Sequence, residues 1–232
     1  MDMRAAKLLP AVVACCFAMG HARAATIEWS LGPSFNGATG YEGILTNGTL
    51  VEAVDLVGAT GGSLTVDPLG INLTFSMVNS PFFNSNWASA GFGGSTDSAW
   101  GNILNTFEWH QGSDVAGTGF LGGLVAGHTY QVQFFAARSD CCGTRTLSFS
   151  NGIDVATVTI EYDDYVSVVG TFVADASSQT ISFDDSTNNP LLNAYVLRDI
   201  SPVPEPQTWT MLLAGLLTVA GVAAWRRPAR AW

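Results

Sequence analysis

Between Thr129 and Ala137 the chain reads TYQVQFFAA. Tyr130, Val132, Phe134 and Ala136 recur at every second position, with Gln131 and Gln133 between them. A period of two belongs to an extended strand, whose successive side chains fall on opposite faces. A helix would gather its apolar residues at every third or fourth position. Phe135 interrupts the polar face, so this strand is expected to be covered on both sides.

Working outward, runs of the same β-branched and aromatic texture occupy Thr49–Leu56, Ile71–Ser76, Thr146–Ser150, Val155–Glu161, Tyr165–Ala174, Gln179–Phe183 and Asn193–Arg198. Asn47-Gly48, Asn151-Gly152 and Asp163-Asp164 are turn signals between them. Many short strands at such spacing predict an all-β sandwich. One stretch differs: Ser95–Trp109 reads STDSAWGNILNTFEW. Trp100, Ile103, Leu104 and Phe107 stand at i, i+3, i+4 and i+7, which predicts a short helix with one apolar face. Ser95, Thr96 or Asp97 would cap it, and Trp100 is expected in the core.

The two ends carry different signals. Arg4 and Lys7 precede an apolar run from Leu8 to Met19, and Ala22-Arg23-Ala24 supplies a small-x-small cleavage site. Residues 1–24 therefore read as a signal peptide of an exported protein, with a mature start at Ala25. Val12 to Cys15 also forms a loose lipoprotein box, in which Cys15 would become an acylated first residue. At the other end Pro204-Glu205-Pro206 cannot continue a helix. Thr208 to Trp225 then holds no charged residue. As a helix that run spans about 27 Å, close to bilayer thickness. Arg226, Arg227 and Arg230 form a basic stop that favours the cytoplasmic side, so 208–225 is expected to span a membrane with everything before it outside.

Ala25 to Pro202 is one domain's worth of chain. Its only basic side chains are Arg138, Arg145 and Arg198, against seventeen carboxylates, a net of −14 where the whole chain carries −10. Such a surface repels phosphate backbones, which argues against a nucleic-acid partner. It leaves divalent cations open: Asp184, Asp185, Asn188 and Asn189 are the densest oxygen cluster and a candidate structural calcium site, although the same residues are plain turn chemistry.

Pro204-Glu205-Pro206, Trp209, the Met211–Leu216 run and the terminal arginines together resemble the PEP-CTERM sorting domain of Gram-negative, polysaccharide-producing bacteria. The resemblance implies transient anchoring in the inner membrane through 208–225 with the domain on the periplasmic side, where a membrane-embedded cysteine transpeptidase, an exosortase, reads Pro204, Glu205 and Pro206 and processes the chain at the cell surface. Gln207 stands where that family often has Ser or Thr, which leaves the processing position open. A second likeness lies in Gly119–Arg138 (GFLGGLVAGHTYQVQFFAAR), Tyr165–Ala174, Asn193–Ile200 and Thr49–Leu56. These are similar to secreted jelly-roll modules related in shape to galactose-binding domains. That resemblance implies a single jelly-roll-like β-sandwich over 25–202, followed by the sorting signal over 203–232. It also implies glycan binding through end loops or a concave face, and in some members a structural calcium.

Chemistry-bearing residues are few. The mature chain has two histidines, His110 and His128, neither with a metal-ligand partner at helical or hairpin spacing. Neither a Gly-x-Ser-x-Gly elbow nor a His-Glu-x-x-His motif occurs, which disfavours serine and metal hydrolases. His110 is expected at the C-terminal end of the short helix. Cys141 and Cys142 are adjacent, and Cα atoms about 3.8 Å apart make a vicinal disulfide strained, yet export favours oxidation. Such a bridge would stiffen the 138–145 turn; a bridge to a second chain is the alternative. Phe82, Phe83 and Trp87 in SPFFNSNW, with Arg138, Asp140 and Arg145, are candidate glycan contacts, since sugars are held by aromatic faces and planar polar groups. The expectation is a non-catalytic surface or matrix protein of an exopolysaccharide layer or biofilm. The alternatives are a module with a defined glycan site and, behind it, a carbohydrate-active enzyme.

Overall fold

The computed structural model describes residues 25–33, 43–56, 63–67, 70, 72–77, 88–91, 99–110, 117–137, 144–161, 164–185, 189–202, 211–212 and 214–219. Within them the first strands are β1 (Ile27–Leu31), β2 (Thr49–Asp55), β3 (Ser63–Val66), β4 (Leu73–Met77) and β5 (Ala88–Gly91), followed by the helix α1 (Ala99–Leu104). Then come β6 (Thr106–Trp109), β7 (Gly117–Leu121), β8 (Thr129–Ala137), β9 (Arg145–Ser150) and β10 (Val155–Ile160). The last are β11 (Tyr165–Val173), β12 (Gln179–Asp185), β13 (Leu191–Leu192) and β14 (Ala194–Asp199).

Seven strands form the larger sheet in the order β1-β11-β8-β14-β2-β4-β3, and four form the facing sheet in the order β10-β9-β12-β7. A small sheet, β13-β6-β5, closes one side. Adjacent strands are antiparallel except β2 and β4. The architecture is an all-β, jelly-roll-like sandwich.

The alternation in β8 does what its sequence predicts. Tyr130, Val132, Phe134 and Ala136 enter the interior between the two large sheets, where Leu147, Phe149, Val158, Ile181 and Phe183 meet them. Phe134 packs on Phe149 with ring centroids 5.3 Å apart, and Phe149 on Phe183 at 4.9 Å. Side chains of this size contribute about 1.5–3 kcal/mol each when fully buried, so these contacts set the pairing of the sheets. Phe135 and Ala137 face the other way into a second core with Phe75, Trp100, Ile103 and Val196. Trp100 meets Phe135 edge-on at 5.1 Å. The two-sided cover expected from Phe135 is therefore present.

The helix is shorter than its periodicity predicts. It ends at Leu104, and Thr106 to Trp109 is strand β6, so Phe107 is buried from a strand and not from a fourth helical position. Thr106 explains the stop: its hydroxyl donates back to the carbonyl of Ile103 (3.1 Å) or forward to Asp55 Oδ1 (2.9 Å), competing with further helix. His110 accordingly follows a strand, and its amide donates to Pro190 O. The capping residues expected at 95–97 lie outside the described residues.

Candidate functional site

The sandwich has two ends of different character. At one, β14 finishes and leads toward the tail. Asp199, its last residue, accepts from Nδ1 of His128 at 2.6 Å and from the Ser201 amide at 2.9 Å. Ser201 in turn accepts from the Thr129 amide at 2.8 Å, and the Ile200 amide donates to Thr129 O at 2.8 Å. The hydrogen bond from His128, then that from Ser201, holds the Asp199 carboxyl below the usual carboxylate value. The chain is thus fixed to β8 as far as Ser201. Ala25 and Ile27 lie at the same end: Asn151 donates to Ala25 O, and the Ile27 amide donates to Asp154 Oδ2.

Across the outward face of the larger sheet, register sets Glu28 beside Thr171, Thr171 beside Gln131, and Gln131 beside Arg198. Thr26, Glu28, Thr129, Thr171, Phe172 and Val173 line a groove of about 270 Å³ at this end. Arg198 is buried, and its guanidinium donates to the carbonyls of Thr46 (3.0 Å) and Gly48 (3.2 Å). Burial lowers its pKa. Gly48 takes a positive φ of 75°, and a Cβ there would sit 2.3 Å from Asp199 O.

A buried polar joint ties the small sheet to the larger one. Asn193, wholly buried between β13 and β14, accepts from the Ala137 amide at 2.8 Å. It donates to Leu104 O at 2.7 Å and Thr106 O at 2.9 Å. Beside it the Asp55 carboxyl is sealed from solvent, and burial pushes its pKa up to about 7 against the opposing hydrogen bond from Thr106. Tyr195 donates to Glu52 at 2.9 Å. Burial raises the Glu52 pKa, and burial and then the Glu52 charge raise that of Tyr195.

The other end gathers the stems of the loops that the sequence singles out. Ala137 and Arg145 flank 138–143, and Ala137 pairs with Tyr165 at the start of β11, opposite the end where Thr129 pairs with Val173. Met77, which precedes the segment with Phe83 and Trp87, lies beside Asp55, whose own partner is Ala194 at the start of β14. Asp185 pairs with Leu147 near the start of β9. Trp87, Phe83, Arg138, Asp140, Cys141, Cys142 and Asn188 themselves lie outside the described residues, as do Pro204, Glu205 and Pro206. Arg145 is 4% exposed and shares the inward face of β9 with Leu147 and Phe149. Asp184 and Asp185 are successive positions of β12 and not part of a turn. Among the described residues no three His, Cys, Asp or Glu converge as a metal site.

In the tail, residues 211–212 and 214–219 are helical. Met211, Leu212, Leu216, Leu217 and Val219 are exposed, and the Thr218 hydroxyl returns to the carbonyl of Ala214 at 2.7 Å. A hydroxyl satisfied inside its own helix suits an apolar surround. Among the described residues no helix is long and apolar enough to cross a membrane.

The PEP-CTERM protein-sorting motif is matched over residues 202–227. That motif defines an exported protein with a C-terminal membrane anchor before cleavage. The chain is an exosortase substrate built on a jelly-roll-like sandwich. In fold it is similar to the ANX2 ectodomain from Arabidopsis thaliana, with TM-score 0.51, 11% identity, and coverage of 69% of this chain and 56% of that one. It therefore spans little more than half of that ectodomain's length. The ANXUR1 extracellular domain from Arabidopsis thaliana gives TM-score 0.45 at 13% identity, covering 67% and 57%. A Bacteroides uniformis beta-glucuronidase gives 0.43 at 17%, covering 64% and 18%. At these identities the likeness shows fold alone. No curated protein sequence matches the chain.

Proposed function

We propose that this protein is a non-catalytic component of the cell surface or extracellular matrix, delivered by an exosortase and associated with exopolysaccharide. The observation that carries the reading is the polarity of the sandwich. The sorting tail leaves one end, while the stems of the 78–87, 138–143 and 186–188 segments start from the other. In an anchored chain those stems would lie at the end of the sandwich opposite the tail.

The test is a glycan-array and soluble-polysaccharide screen of the processed protein, with and without calcium. Weak association with bulk polysaccharide, strengthened by multivalent display, is the expected result. Turnover of a polysaccharide, or no association in either condition, would overturn it.

The groove beside Glu28 and Thr171 favours a second reading, a module with a defined sugar site. Carboxylate and threonine hydroxyls there are suited to sugar hydroxyls, and Val173 supplies an apolar wall. It predicts saturable binding to one sugar class, lost on Trp87→Ala if the far loops hold the sugar and on Thr171→Trp if the groove does.

A further inference from the structure

We propose that the end of the sandwich from which the tail departs is a docking surface for the membrane-embedded enzyme that processes the sorting motif. The chain is held to the domain through Ser201, by the bonds among Asp199, His128, Thr129, Ile200 and Ser201. Only Pro202 and Val203 separate Ser201 from Pro204. Whatever its conformation, a chain advances at most about 3.6 Å per residue, so Pro204 lies within roughly 11 Å of Ser201. Thr208, where the apolar run begins, lies within roughly 25 Å by the same limit. Two packed sheets are already about 10 Å apart, before side chains and loops are added. An enzyme that grips the tripeptide therefore meets the end loops of the sandwich at the same time.

Those loops have a surface suited to such a partner. Val125, Ile153, Val155 and Val173 are each more than half exposed, at 53%, 59%, 62% and 54%. Backbone and side-chain hydrogen bonds bring their segments together at this end. Gly127 donates to Ala174 O and Leu124 to Ser177 O, and the 151–154 turn is tied to Ala25 and Ile27. Two carboxylates among them are already occupied, Asp154 by the Ile27 amide and Asp199 by His128. This apolar end sits on a domain of net charge −14, with Glu28 and Asp175 as exposed carboxylates at its edge, an apolar centre with a polar rim of the kind a protein partner packs against.

The experiment follows the full-length chain in cells that contain the processing enzyme, by pulse-chase conversion of precursor to processed protein. The triple variant Val125→Asp, Ile153→Asp, Val173→Asp is expected to slow conversion about tenfold, with Leu31→Asp at the far end of β1 as the control that leaves it unchanged. Exported yield and protease resistance report whether each variant folds. A second variant leaves the domain untouched: a flexible Gly-Ser insert of about twelve residues between Pro202 and Val203 separates the tripeptide from the end loops. It is expected to slow conversion although it improves access. Faster conversion with the insert would make the domain an obstacle and overturn the proposal. Unchanged conversion in the triple variant, with lost co-flotation on phosphatidylethanolamine–phosphatidylglycerol vesicles, would assign the patch to lipid and also overturn it.

Discussion

Nδ1 of His128 lies 2.6 Å from Oδ2 of Asp199, joining the residue before β8 to the last residue of β14. The two are far apart in sequence, and the bond fixes the point at which the sandwich hands over to its tail. Both side chains retain solvent contact, so His128→Ala should cost no more than about 1 kcal/mol in urea unfolding at neutral pH. The Asp199 value is depressed on folding, so its contribution is full above the ordinary carboxylate value near 3.8. It disappears as pH falls through the lowered value. Urea midpoints of wild type and Asp199→Asn should therefore differ at pH 6 and converge in strong acid.

Asn193 binds three elements with one side chain. Asn193→Ala would leave the Ala137 amide and the carbonyls of Leu104 and Thr106 buried without their partner, a loss of about 3 kcal/mol or more. Denaturant unfolding measures it. A near-neutral result would mean that the joint closes without the amide.

Asp55 carries the opposite sign from Asp199. Its folded value is raised to about 7, so between about pH 4 and pH 7 the folded chain keeps a proton that the unfolded chain releases. Stability from this group therefore falls as pH rises through that window and is flat above it. Asp55→Asn keeps the acceptor for Thr106 and removes the charge. It should stabilise the domain at pH 8 by on the order of 2–4 kcal/mol and flatten the pH profile of the melting temperature. Equal pH profiles for the two proteins would refute the buried-acid account.

Gly48→Ala should destabilise by about 2 kcal/mol or more, because it combines a positive φ with a Cβ driven against Asp199 O. The carbonyls that hold Arg198 would move with it, so thermal melting should also report the loss of that cradle.

What could be read from the sequence depended on whether a signal was local. The alternation of β8 and the apolar spacing around Trp100 are local patterns; β8 formed where it was expected, and α1 formed over Trp100, Ile103 and Leu104 but not as far as Phe107. The sorting tail was legible for the same reason, since its tripeptide, apolar run and arginines are contiguous. β7, reading GTGFL, gave no such pattern, because glycine leaves a strand to be specified by its neighbour β12. β6 was absorbed into the helical period, since Phe107 fits both readings and only the Thr106 hydroxyl and the pairing to β5 and β13 decide between them. The His128–Asp199 pair and the Asn193 joint have no local signature at all. Each needs the antiparallel return of β14 along β8 before its atoms meet.

The position of β14 also has a mechanical consequence. It lies between β8 and β2, paired on both sides along its length, and its C-terminal end leads directly into the tail. Ladder bonds in antiparallel sheets run perpendicular to the strands. A pull along the tail, resisted by something held at the opposite end of the sandwich, loads two rows of bonds together in shear instead of unzipping them one at a time. Before the anchor is cut, traction on the protein is borne by the middle of its largest sheet.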